Sequence, residues 1–439
     1  MNVESRDELA RTPAHETALA CIEAGIEAAQ PKQVVRESVA LDGTTLRVEE
    51  TEYDLAEHDE ILVLGGGKAA AGVAAALESV LGERLDGGAV VTATRDAGSE
   101  RDTSAATPSV SDRVTALPGS HPVPDESSVE STEEILERAR AAGPDTLVLA
   151  VVTGGASALL AAPDVPLDAM RETTDALLGS GAPIDEMNAV RKRLSRIKGG
   201  GLARAAAPAT VVTLALSDVV GDDPGVIGSG PTVPDDGTHA DARRVIEQRN
   251  VSVPESVREH LRGEEGGDPI EGGPVHMLAN ALTALDAARE AARERGYAVS
   301  VLSTRFGGEA RDTAAFHRAL ADEALDSGNP LEPPAVLLSG GETTVDITGS
   351  GTGGPNLEFA VRAGIDFEGV CAAVDTDGRD GSTDAAGALV DSETVSDPDA
   401  ARAALDDNDA LPYLGERDCL IRTGRTGTNV NDLRIFVLE

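Results

Sequence analysis

The sequence has 439 residues, of which 41% are hydrophobic, and this length suffices for two domains that each bury a core. The 77 acidic residues against 37 basic ones give a formal net charge of −40, which argues against nucleic acid as a partner because phosphate backbones require a basic face. Such an excess of like charge destabilises a compact chain unless salt screens it. Since apolar segments run along nearly the whole chain and argue against disorder, we expect a globular protein from a high-salt organism, with an acidic surface.

The cysteines and the N-terminal residues indicate the compartment. Cys21, Cys371 and Cys419 show no paired metal-ligand spacing, and their odd number predicts reduced, buried thiols. The first residues, "MNVESRDELARTPAHE", lack the basic region and apolar core of a signal peptide, and no apolar run approaches the ~20 residues that span a bilayer. We therefore expect a cytoplasmic protein.

Four apolar runs in the first half end in turns that contain glycine or serine: "ILVLGGGK", "AVVTAT", "LVLAVVTGGAS" and "VVTLALSD". Short runs of this kind suit strands that are buried on both faces of a parallel sheet. Helix-favouring segments such as "ESSVESTEEILERARAAG" separate them, whereas "RDAGSERDTSAATPSVSD" is predicted to be a surface loop. Strand, turn and helix repeated in this order predict an open α/β sheet, whose ligands bind beyond the carboxyl ends of the strands.

The second half begins with a predicted linker at residues 261–274, "LRGEEGGDPIEGGP", which combines charge, glycine and proline. After it, "AVLLSGGETTVDITGSGTGG" predicts a strand, a tight turn and a second strand, and "GVCAAVDTDGRDG" predicts a strand that delivers acids to a loop. The end of the chain, "DCLIRTGRTGTNVNDLRIFVLE", predicts two strands around a glycine-rich loop. We therefore expect an N-terminal α/β domain over residues 1–265 and a smaller C-terminal α/β domain over residues 270–439.

The stretch "LVLGGGKAAAG", residues 62–72, places Lys68 after three glycines in a chain with only four lysines. Gly66 and Gly67 would let backbone N–H groups approach a ligand at the positive end of the following helix, and the lysine would add a point charge. The turn is not a Walker A loop, but it fits the looser dinucleotide pattern Gly65-x-Gly67-x-x-Ala70. The alternative is a tight turn that carries a solvated lysine.

Two further turns carry polar groups. The segment "TGGASALL" places Gly154, Gly155 and Ser157 at a predicted helix start after a buried strand. Their backbone donors and hydroxyl group would suit a carboxylate or a phosphate, although helix capping alone also explains Ser157. In "GSHPVPDESS", His121 either contacts the substrate or belongs to a proline-rich turn with a helix cap.

The densest basic segment of the chain is "MNAVRKRLSRIKGGG". Apolar residues at helical spacing would face the core: Met187, Val190, Leu194 and Ile197. Polar residues would share another face: Asn188, Arg191, Ser195 and Lys198. In so acidic a chain we favour an anion-binding role for this face over a merely solvated one, and we expect the three glycines to end the helix.

Aspartates follow two of the predicted strands. The segment "LALSDVVGDDPGVIGSGPT" carries Asp218 and Asp222, and "DTDGRDGSTDAAG" carries Asp375, Asp377 and Asp380. Aspartates at short spacing on strand-end loops can hold Mg²⁺ together with phosphate oxygens, or orient a hydroxyl group for attack. A calcium loop of the EF-hand type is not indicated, because the glutamate that closes it is absent. The alternative for any single aspartate in so acidic a chain is a solvent-exposed residue without a functional role.

Taken together, an ordered series of motifs resembles the type-2 glycerate kinase (MOFRL) family over about residues 15–438. The motifs are "GGGKAA", "GSHPVPDESS", "TGGASALL", "NAVRKRLSRIKGGGLA", "LSDVVGDD" with "GSGPT", "SGGETTV", "GTGGPNLEFA", "DTDGRDGSTDAAGA" and "GTNVND". The resemblance implies an N-terminal Rossmann-like parallel sheet with helices on both faces, a smaller C-terminal α/β domain, and an active site in the cleft between them.

The resemblance also implies an activity, that of a glycerate 2-kinase. ATP and Mg²⁺ would serve to phosphorylate D-glycerate at the 2-hydroxyl, giving 2-phosphoglycerate and ADP. The implied partners are this substrate and a nucleotide, with no nucleic acid or membrane, and an oligomer is compatible with the sequence. Two alternatives stay open: a nicotinamide-dependent hydroxypyruvate reductase that uses the glycine turn at residues 65–70, and a non-catalytic protein that binds sugar acids.

The motifs and the resemblance together give a set of predicted site residues. The predicted catalytic residues are Lys68, Asp218 and Asp377. The predicted substrate-binding residues are Ser157, Asn188 and Arg191. The predicted nucleotide-binding residues are Gly66, Gly67, Gly154, Gly155, Lys198 and Asn356. The predicted metal ligands are Asp222, Glu342, Asp375 and Asp380.

One position departs from the pattern of the family. Many relatives have an arginine in the active site where this chain has Pro355, in the segment "GGPNLE". Proline carries no positive charge, so Arg191 or Arg425 must supply it, or the site works without it.

Overall fold

A computed structural model describes residues 3–96, 112–263 and 270–439. The chain forms two compact units. We call Val34–Leu278 the parallel-sheet unit, and we call Met1–Gln33 together with Ala279–Glu439 the mixed-sheet unit.

The helices and strands follow one another along the chain in three described stretches. The first contains α1 (Arg6–Leu9), α2 (Pro13–Ala28), α3 (Pro31–Ser38), β1 (Val39–Asp42), β2 (Thr45–Val48), β3 (Thr51–Asp54), β4 (Glu60–Gly66), α4 (Ala70–Leu81) and β5 (Gly87–Asp96). The second contains β6 (Val114–His121), α5 (Glu126–Ala141), β7 (Thr146–Thr153), α6 (Ala156–Leu159), α7 (Leu167–Gly179), α8 (Ile184–Arg193), α9 (Gly201–Ala206), β8 (Thr210–Leu216), α10 (His239–Gln248) and α11 (Glu255–Arg262). The third contains β9 (Val275–Ala279), α12 (Ala281–Glu294), β10 (Ala298–Phe306), α13 (Ala310–Ser327), β11 (Ala335–Gly341), α14 (Pro355–Gly364), β12 (Val370–Asp375), β13 (Gly387–Val390), α15 (Pro398–Asp406), α16 (Ala410–Gly415), β14 (Leu420–Ile421) and β15 (Asp432–Leu438).

The parallel-sheet unit is built around six strands in the order β6-β5-β4-β7-β8-β9. The pairings of β4 with β5 and β7, of β5 with β6, and of β7 with β8 are all parallel. This is the Rossmann strand order, in which the direction of winding reverses between β4 and β7 and leaves a crevice at their carboxyl ends. The four apolar runs of the first half are β4, β5, β7 and β8, as predicted.

Strand β7 shows why these apolar runs lack polar alternation. All of its residues are buried. Val148, Ala150 and Val152 pack in one core cluster with helix residues that include Ile135 and Leu202, and the intervening residues point to the opposite face because side chains alternate along a strand. Helices α4 and α5 both pack on this sheet. Both faces of the sheet are therefore covered, which confirms the predicted α/β class.

The mixed-sheet unit contains six strands in the order β10-β11-β15-β12-β13-β14. Strands β10 and β11 are parallel, and the other pairings are antiparallel. Alternate residues of β15 serve two cores. Leu433, Ile435 and Val437 pack with α2 and α12, whereas Phe436 and Leu438 pack with α13 to α16. Helix α2, from the start of the chain, thus covers one face of the sheet that the end of the chain builds.

This packing makes the compact units differ from the predicted ranges 1–265 and 270–439. The apolar side of α2, which includes Leu19 and Ile22, is buried against the mixed sheet. Strand β9, which follows the predicted linker, is the sixth strand of the parallel sheet. The division into folding domains stays a prediction. By compactness, α2 belongs to the mixed-sheet unit and β9 belongs to the parallel sheet. Residues 264–269 of the predicted linker lie outside the described residues.

Three local predictions differ from the structure or lie outside it. Within the described residues, the second strand predicted after β11 is reduced to Thr344, which pairs with Glu309. The N–H groups of Thr348 and Gly349, later in the same segment, donate to Oδ1 of Asn408 instead of to a neighbouring strand. Helix α8 ends at Arg193 instead of reaching the three glycines, because Ser195 pairs in extended form with the loop at residue 163. The predicted surface loop at residues 95–112 falls almost wholly on residues 97–111, outside the described ranges.

The cysteines agree with their prediction. Cys21, Cys371 and Cys419 are buried, and none of them forms a disulfide bond. Burial raises the pKa of Cys21 and of Cys419 to about 12, so these thiols stay protonated and unreactive. Within the described ranges, no helix combines the length and the apolar character that crossing a membrane requires.

His317 lies on α13 inside the core between α13 to α16 and the mixed sheet. Its buried ring nitrogens lie 2.7 Å from the carbonyl oxygen of Thr313 and 2.7 Å from the hydroxyl of Ser339. The rings of Phe359 and Phe436 pack against it. Burial is the main cause that lowers the pKa of His317 from 6.5 to about 4.

This shift predicts a loss of stability on acidification. Between about pH 6.5 and about pH 4 the unfolded state binds a proton at His317 that the folded state does not, so the free energy of unfolding should fall as the pH drops through this window. The part due to this residue is about 2 to 3 kcal/mol. Chemical denaturation at both ends of the window should show a smaller loss in His317→Gln than in the parent.

The control for this comparison is His58→Gln, which alters a partly exposed histidine. It should lose as much stability on acidification as the parent. If His317→Gln also loses as much as the parent, the buried ring does not cause the pH dependence.

Candidate active site

The turn after β4 is pressed against the end of the neighbouring strand β7. Gly65 and Gly67 have positive φ angles of 144° and 136°. A Cβ atom at Gly65 would lie 1.9 Å from the carbonyl oxygen of Val151, and one at Gly67 would lie 2.1 Å from Oγ1 of Thr153. No side chain fits at such distances, so the packing of the protein itself requires both glycines.

The backbone N–H groups of this turn are used inside the protein. Those of Gly67, Lys68 and Ala69 all donate to protein acceptors, at 2.8 to 3.2 Å. Two of these acceptors are Gly154 and Thr153, at the end of β7. The N–H of Gly67 already has an acceptor in the protein, and the predicted binding of phosphate by residues 66 and 67 stays a prediction.

What the turn presents is the side chain of Lys68. A Cβ atom placed on Gly155 would lie 3.1 Å from Cγ of Lys68 and 3.1 Å from Cδ2 of His121. Gly155 has a φ of 81° and lies between the two side chains. Three segments thus meet at this point: the turn after β4, the end of β6 and the loop after β7.

Asp218 reaches the same loop from the end of β8. A Cβ atom placed on Gly154 would lie 2.4 Å from Oδ2 of Asp218, so this carboxylate lies against the backbone of the glycine. Four predicted site residues, Lys68, Gly154, Gly155 and Asp218, therefore come together where β4, β7 and β8 end. In sheets of this topology, ligands bind at the carboxyl ends of the strands.

Ser157, in the same loop, makes two side-chain contacts. Nη2 of Arg191 donates to its hydroxyl at 2.6 Å, and Oγ of Ser229 lies 2.7 Å away. The capping alternative does not apply, because the N-cap residue of α6 is Gly155. Burial lowers the pKa of Arg191, but a guanidinium group stays cationic at neutral pH. The pair offers a positive charge and a hydroxyl group to an anion.

Lys198, predicted to bind the nucleotide, is buried. Its Nζ donates to the carbonyl oxygen of Ser157 at 2.6 Å and to that of Leu160 at 3.4 Å. Burial, followed by the charge of Arg191, lowers the pKa of Lys198 well below its usual 10.5. Lys198 thus holds the loop that carries Ser157, and its predicted contact with the nucleotide stays a prediction.

Asn188 precedes Arg191 by three residues on α8, and this spacing puts both residues on one face of the helix. Its side chain is buried, and its Oδ1 has no hydrogen-bond partner among the residues that the structure describes. A buried acceptor without a donor is costly unless a ligand or a water molecule completes it. The predicted role of Asn188 in substrate binding stays a prediction, and this open acceptor agrees with it.

Two residues add to this first group. Ser229, the partner of Ser157, was not predicted, and the available signal was its position between two glycines after β8. His121 was left undecided between a substrate contact and a capped turn. Its ring lies beside Gly155, and Asp125 caps α5 in the same segment. The helix cap of this segment is therefore confirmed, and the substrate contact of His121 stays a prediction.

In the mixed-sheet unit, Asp380 caps helix α14. Its Oδ1 accepts from the N–H of Asn356 at 3.0 Å, and its Oδ2 accepts from the N–H of Leu357 at 2.8 Å. The N-cap residue Gly354 has no side chain that could do this, so the carboxylate completes the first turn of the helix. Burial raises the pKa of Asp380 to about 7. Both oxygens thus complete the first turn of α14, and the predicted role of Asp380 as a metal ligand stays a prediction.

Beside this cap lies a buried ion pair that sequence analysis missed. Asp432 and Arg434 on β15 are paired, and Arg434 also donates to Oγ1 of Thr343 at 2.9 Å. Asn356, predicted to bind the nucleotide, is buried and donates through Nδ2 to Asp432 at 2.7 Å. In this structure the amide therefore organises the acids. Two opposite charges two residues apart in an apolar strand were the available signal, because such residues share one face.

Asp375 ends β12 and pairs in register with Asp432 on β15. The N–H of Asp377 donates to Oδ1 of Asp375 at 2.9 Å, so the two predicted acids share one turn. Burial, followed by the charges of Asp377 and Asp432, raises the pKa of Asp375 well above its usual 3.8. Across the described ranges, no group of three or more His, Cys, Asp or Glu side chains is arranged to hold a metal ion. The four predicted metal ligands therefore do not form one site made of protein side chains alone. These four are Asp222, Glu342, Asp375 and Asp380.

Comparison with known proteins gives matches to two family models. Residues 17–262 match a family described as "Domain of unknown function (DUF4147)", and residues 335–432 match the MOFRL family. The first match alone covers more than half of the chain.

Named relatives match most of the chain, and two of them come from bacteria. A protein of Agrobacterium vitis named "Putative hydroxypyruvate reductase" is 42% identical over 86% of this chain and 87% of its own length. The D-glycerate 2-kinase of Thermotoga maritima is 38% identical over 87% of this chain and 91% of its own length. A crystal structure of a glycerate kinase from Thermotoga maritima superposes with a TM-score of 0.82 at 34% identity, and the match covers 97% of this chain and 99% of that chain.

The cap on α14 predicts the effect of Asp380→Asn. Asparagine keeps the shape but offers one oxygen instead of two, so one N–H group in the first turn of α14 loses its acceptor. The free energy of unfolding should fall by about 1 to 3 kcal/mol, measured by chemical denaturation. Asp384→Asn is the control, because this aspartate lies in the same acidic segment but its side chain is 73% exposed. Equal stability of the two variants would contradict the capping role.

Proposed function

The chain belongs to the MOFRL family, and from that membership we propose that it is a glycerate 2-kinase. It transfers the terminal phosphoryl group of ATP to the 2-hydroxyl of D-glycerate, and the products are 2-phosphoglycerate and ADP. The glycerate kinase names of relatives that match most of the chain support this proposal. A cytoplasmic location belongs to the same proposal and rests on composition alone.

The observation that carries the proposal is the meeting of Lys68, Asp218 and the pair of Ser157 and Arg191 around one loop, residues 154–157. Phosphoryl transfer requires a cation for the transferring group, a residue that orients the attacking hydroxyl, and groups that hold the substrate. The side chains around this loop offer all three.

We assign Arg191 and Ser157 to the carboxylate of glycerate, because a guanidinium and a hydroxyl group both donate to carboxylate oxygens. Asp218 orients the 2-hydroxyl for attack. Lys68 neutralises the negative charge that shifts during transfer of the phosphoryl group. The partial burial of Arg191 strengthens its interaction with an anion, since charges interact more strongly away from water.

Mg²⁺ is part of the proposal through the turn that contains Asp375 and Asp377. In kinases Mg²⁺ is held by one or two carboxylates together with phosphate oxygens and water, so a protein-only cage of three acids is not required. The two carboxylates share one turn, which suits an ion that arrives with the nucleotide. When bound, Mg²⁺ would neutralise phosphate charge, while Asp380 keeps α14 in place beside this turn.

Pro355 stands where many relatives have an arginine. It stands at the first position of α14, where proline is favoured because the missing N–H has no partner in the helix. We therefore propose that Lys68 and Arg191 provide the positive charge of the site.

A hydroxypyruvate reductase is the second candidate, because the relative at 42% identity carries that name. Against it, the acid about 20 residues beyond the glycine turn is Asp86, which precedes β5 and accepts from the N–H of Ile61 at 2.8 Å. Strand β5 itself ends in another acid, Asp96, which a reductase could use in place of Asp86. One assay must therefore test both candidate activities. With D-glycerate, ATP and Mg²⁺ in molar KCl we expect ADP and 2-phosphoglycerate. Oxidation of a reduced nicotinamide by hydroxypyruvate, without ADP formation from glycerate, would establish the reductase instead.

The acidic surface adds a prediction about salt. We propose that the chain is adapted to high salt. Near 1 M salt the screening length falls to about 3 Å, so repulsion between acids that lie farther apart than this is suppressed among the 77 acids. The thermal midpoint and the turnover should both rise between dilute buffer and molar KCl. A midpoint that is the same in both solutions contradicts this adaptation.

Replacing Lys68 tests the proposed mechanism. Lys68→Met keeps the length of the side chain and removes its charge, so kcat should fall about 10²- to 10³-fold while the thermal midpoint in molar KCl stays near that of the parent. Lys32→Met is the matched control, because Lys32 is exposed on α3 and belongs to no predicted site. Parental turnover in Lys68→Met would remove the lysine from the mechanism.

A further inference from the structure

A cavity of about 310 Å³ in the mixed-sheet unit carries an unusual share of positive charge. Its lining comprises three arginines, one aspartate and two apolar residues: Arg311, Arg362, Arg402, Asp406, Ile365 and Leu405. These residues come from α13, α14, the residue after α14, and α15. None of them belongs to the residues proposed for phosphoryl transfer.

Arg311 is held in one orientation by a buried carboxylate. Its Nε donates to Oε2 of Glu358 at 2.6 Å, and Oε1 of Glu358 accepts from Nδ2 of Asn408 at 2.8 Å. Both oxygens of this carboxylate are thus engaged, and its side chain is 1% exposed. Nη2 of the same guanidinium group is buried and has no hydrogen-bond partner among the described residues. A fixed guanidinium group that lines a cavity and keeps a donor without a partner is suited to an anion.

Arg362 adds a second guanidinium group. It is half-buried on α14 and shows no ion pair or hydrogen bond of its side chain within the described ranges. Arg402 adds a third at the exposed edge, where its side chain is 56% exposed and pairs with Asp399 at 3.0 Å. Such an exposed pair is weak and exchanges readily. The acids that offset this charge are Glu358 and Glu309 beside Arg311, Asp399 beside Arg402, and Asp406 in the lining.

The surroundings make this grouping significant. Acidic residues exceed basic ones by 40 in this chain, so three guanidinium groups on one small cavity are an unusual concentration of donors for an anion. We propose that this cavity binds a small phosphate-bearing dianion, either inorganic phosphate or a phosphorylated three-carbon acid. Guanidinium groups match phosphate oxygens with parallel N–H donors, and Ile365 and Leu405 can contact a short carbon chain.

The test is calorimetric titration in the background of Lys68→Met, which weakens phosphate binding at the proposed active site. The probes are inorganic phosphate, 2-phosphoglycerate and, as a monoanion, D-glycerate, all at one KCl concentration at which circular dichroism shows a folded protein. Only the choice of 2-phosphoglycerate rests on the proposed function. We expect saturable binding of one phosphate-bearing probe per chain at the cavity. D-glycerate, which the proposed active site can hold through Arg191 and Ser157, should bind equally well whether or not the cavity is altered.

Arg362→Gln, added to this background, should weaken the binding about 10- to 100-fold, because it removes a charged donor from a partly buried site. Arg402→Gln should weaken the binding less, about 3-fold, because this side chain is exposed and its charge is screened. Since an exposed side chain can be replaced without loss of the fold, Arg402→Gln tests the site if Arg362→Gln fails to fold. Arg293→Gln is the matched control, an exposed arginine of the same unit whose side chain pairs with Glu290.

The outcomes separate the possibilities. Binding of both probes shows that the phosphate group suffices, and binding of 2-phosphoglycerate alone identifies the phosphorylated acid as the source. Absence of saturable binding of either probe, or equal affinity in Arg362→Gln and Arg293→Gln, overturns the proposal. With Lys68 intact, Arg362→Gln should keep the parental turnover in the absence of added phosphate, so failure of this site and failure of the proposed kinase activity give different results.

Discussion

A close contact between two strand ends underlies the arrangement of the candidate active site. The turn after β4 approaches β7 so closely that Gly65 and Gly67 leave no room for a side chain. Its N–H groups donate to acceptors in β5 and at the end of β7, which ties the turn to both strands. Lys68 is the first residue beyond the contact, so its side chain is carried to Gly155. The glycines thus place the lysine by close packing, and we propose that the lysine, in place of their N–H groups, contacts phosphate.

The treatment of buried charge differs between the two units. Around residues 154–157 the buried groups are cationic, and Lys198 fixes the loop through carbonyl oxygens while Arg191 reaches a hydroxyl group. In the mixed-sheet unit the buried groups are acids with assigned donors, since Asp380 holds the first turn of α14 and Arg434 neutralises Asp432. Burying a charge is costly unless a partner compensates it. The acids of this unit are therefore largely engaged in holding the fold, and Asp375 and Asp377 are the two that we propose as ligands of Mg²⁺.

The sequence predicted the α/β class, because four apolar runs that end in glycine or serine are recognisable without the structure. It also predicted loops that the structure brings together, since Lys68, Asp218 and Ser157 all follow strand ends. It could not predict that α2 covers the sheet built by the end of the chain, because an apolar helix face does not reveal which sheet it covers. It also could not predict the partners of buried polar groups. Lys198 and Asp380 look only like ligand-binding residues in the sequence, and the structure shows that both also have partners within the protein.

A crystal structure with D-glycerate and a non-hydrolysable ATP analogue in molar KCl tests most directly whether the turn after β4 acts through its lysine. We expect a phosphate oxygen within hydrogen-bonding distance of Nζ of Lys68, while the N–H groups of residues 67–69 keep their acceptors in the protein. Phosphate oxygens bound to those N–H groups, or a nucleotide whose phosphates do not reach Lys68, would contradict this account.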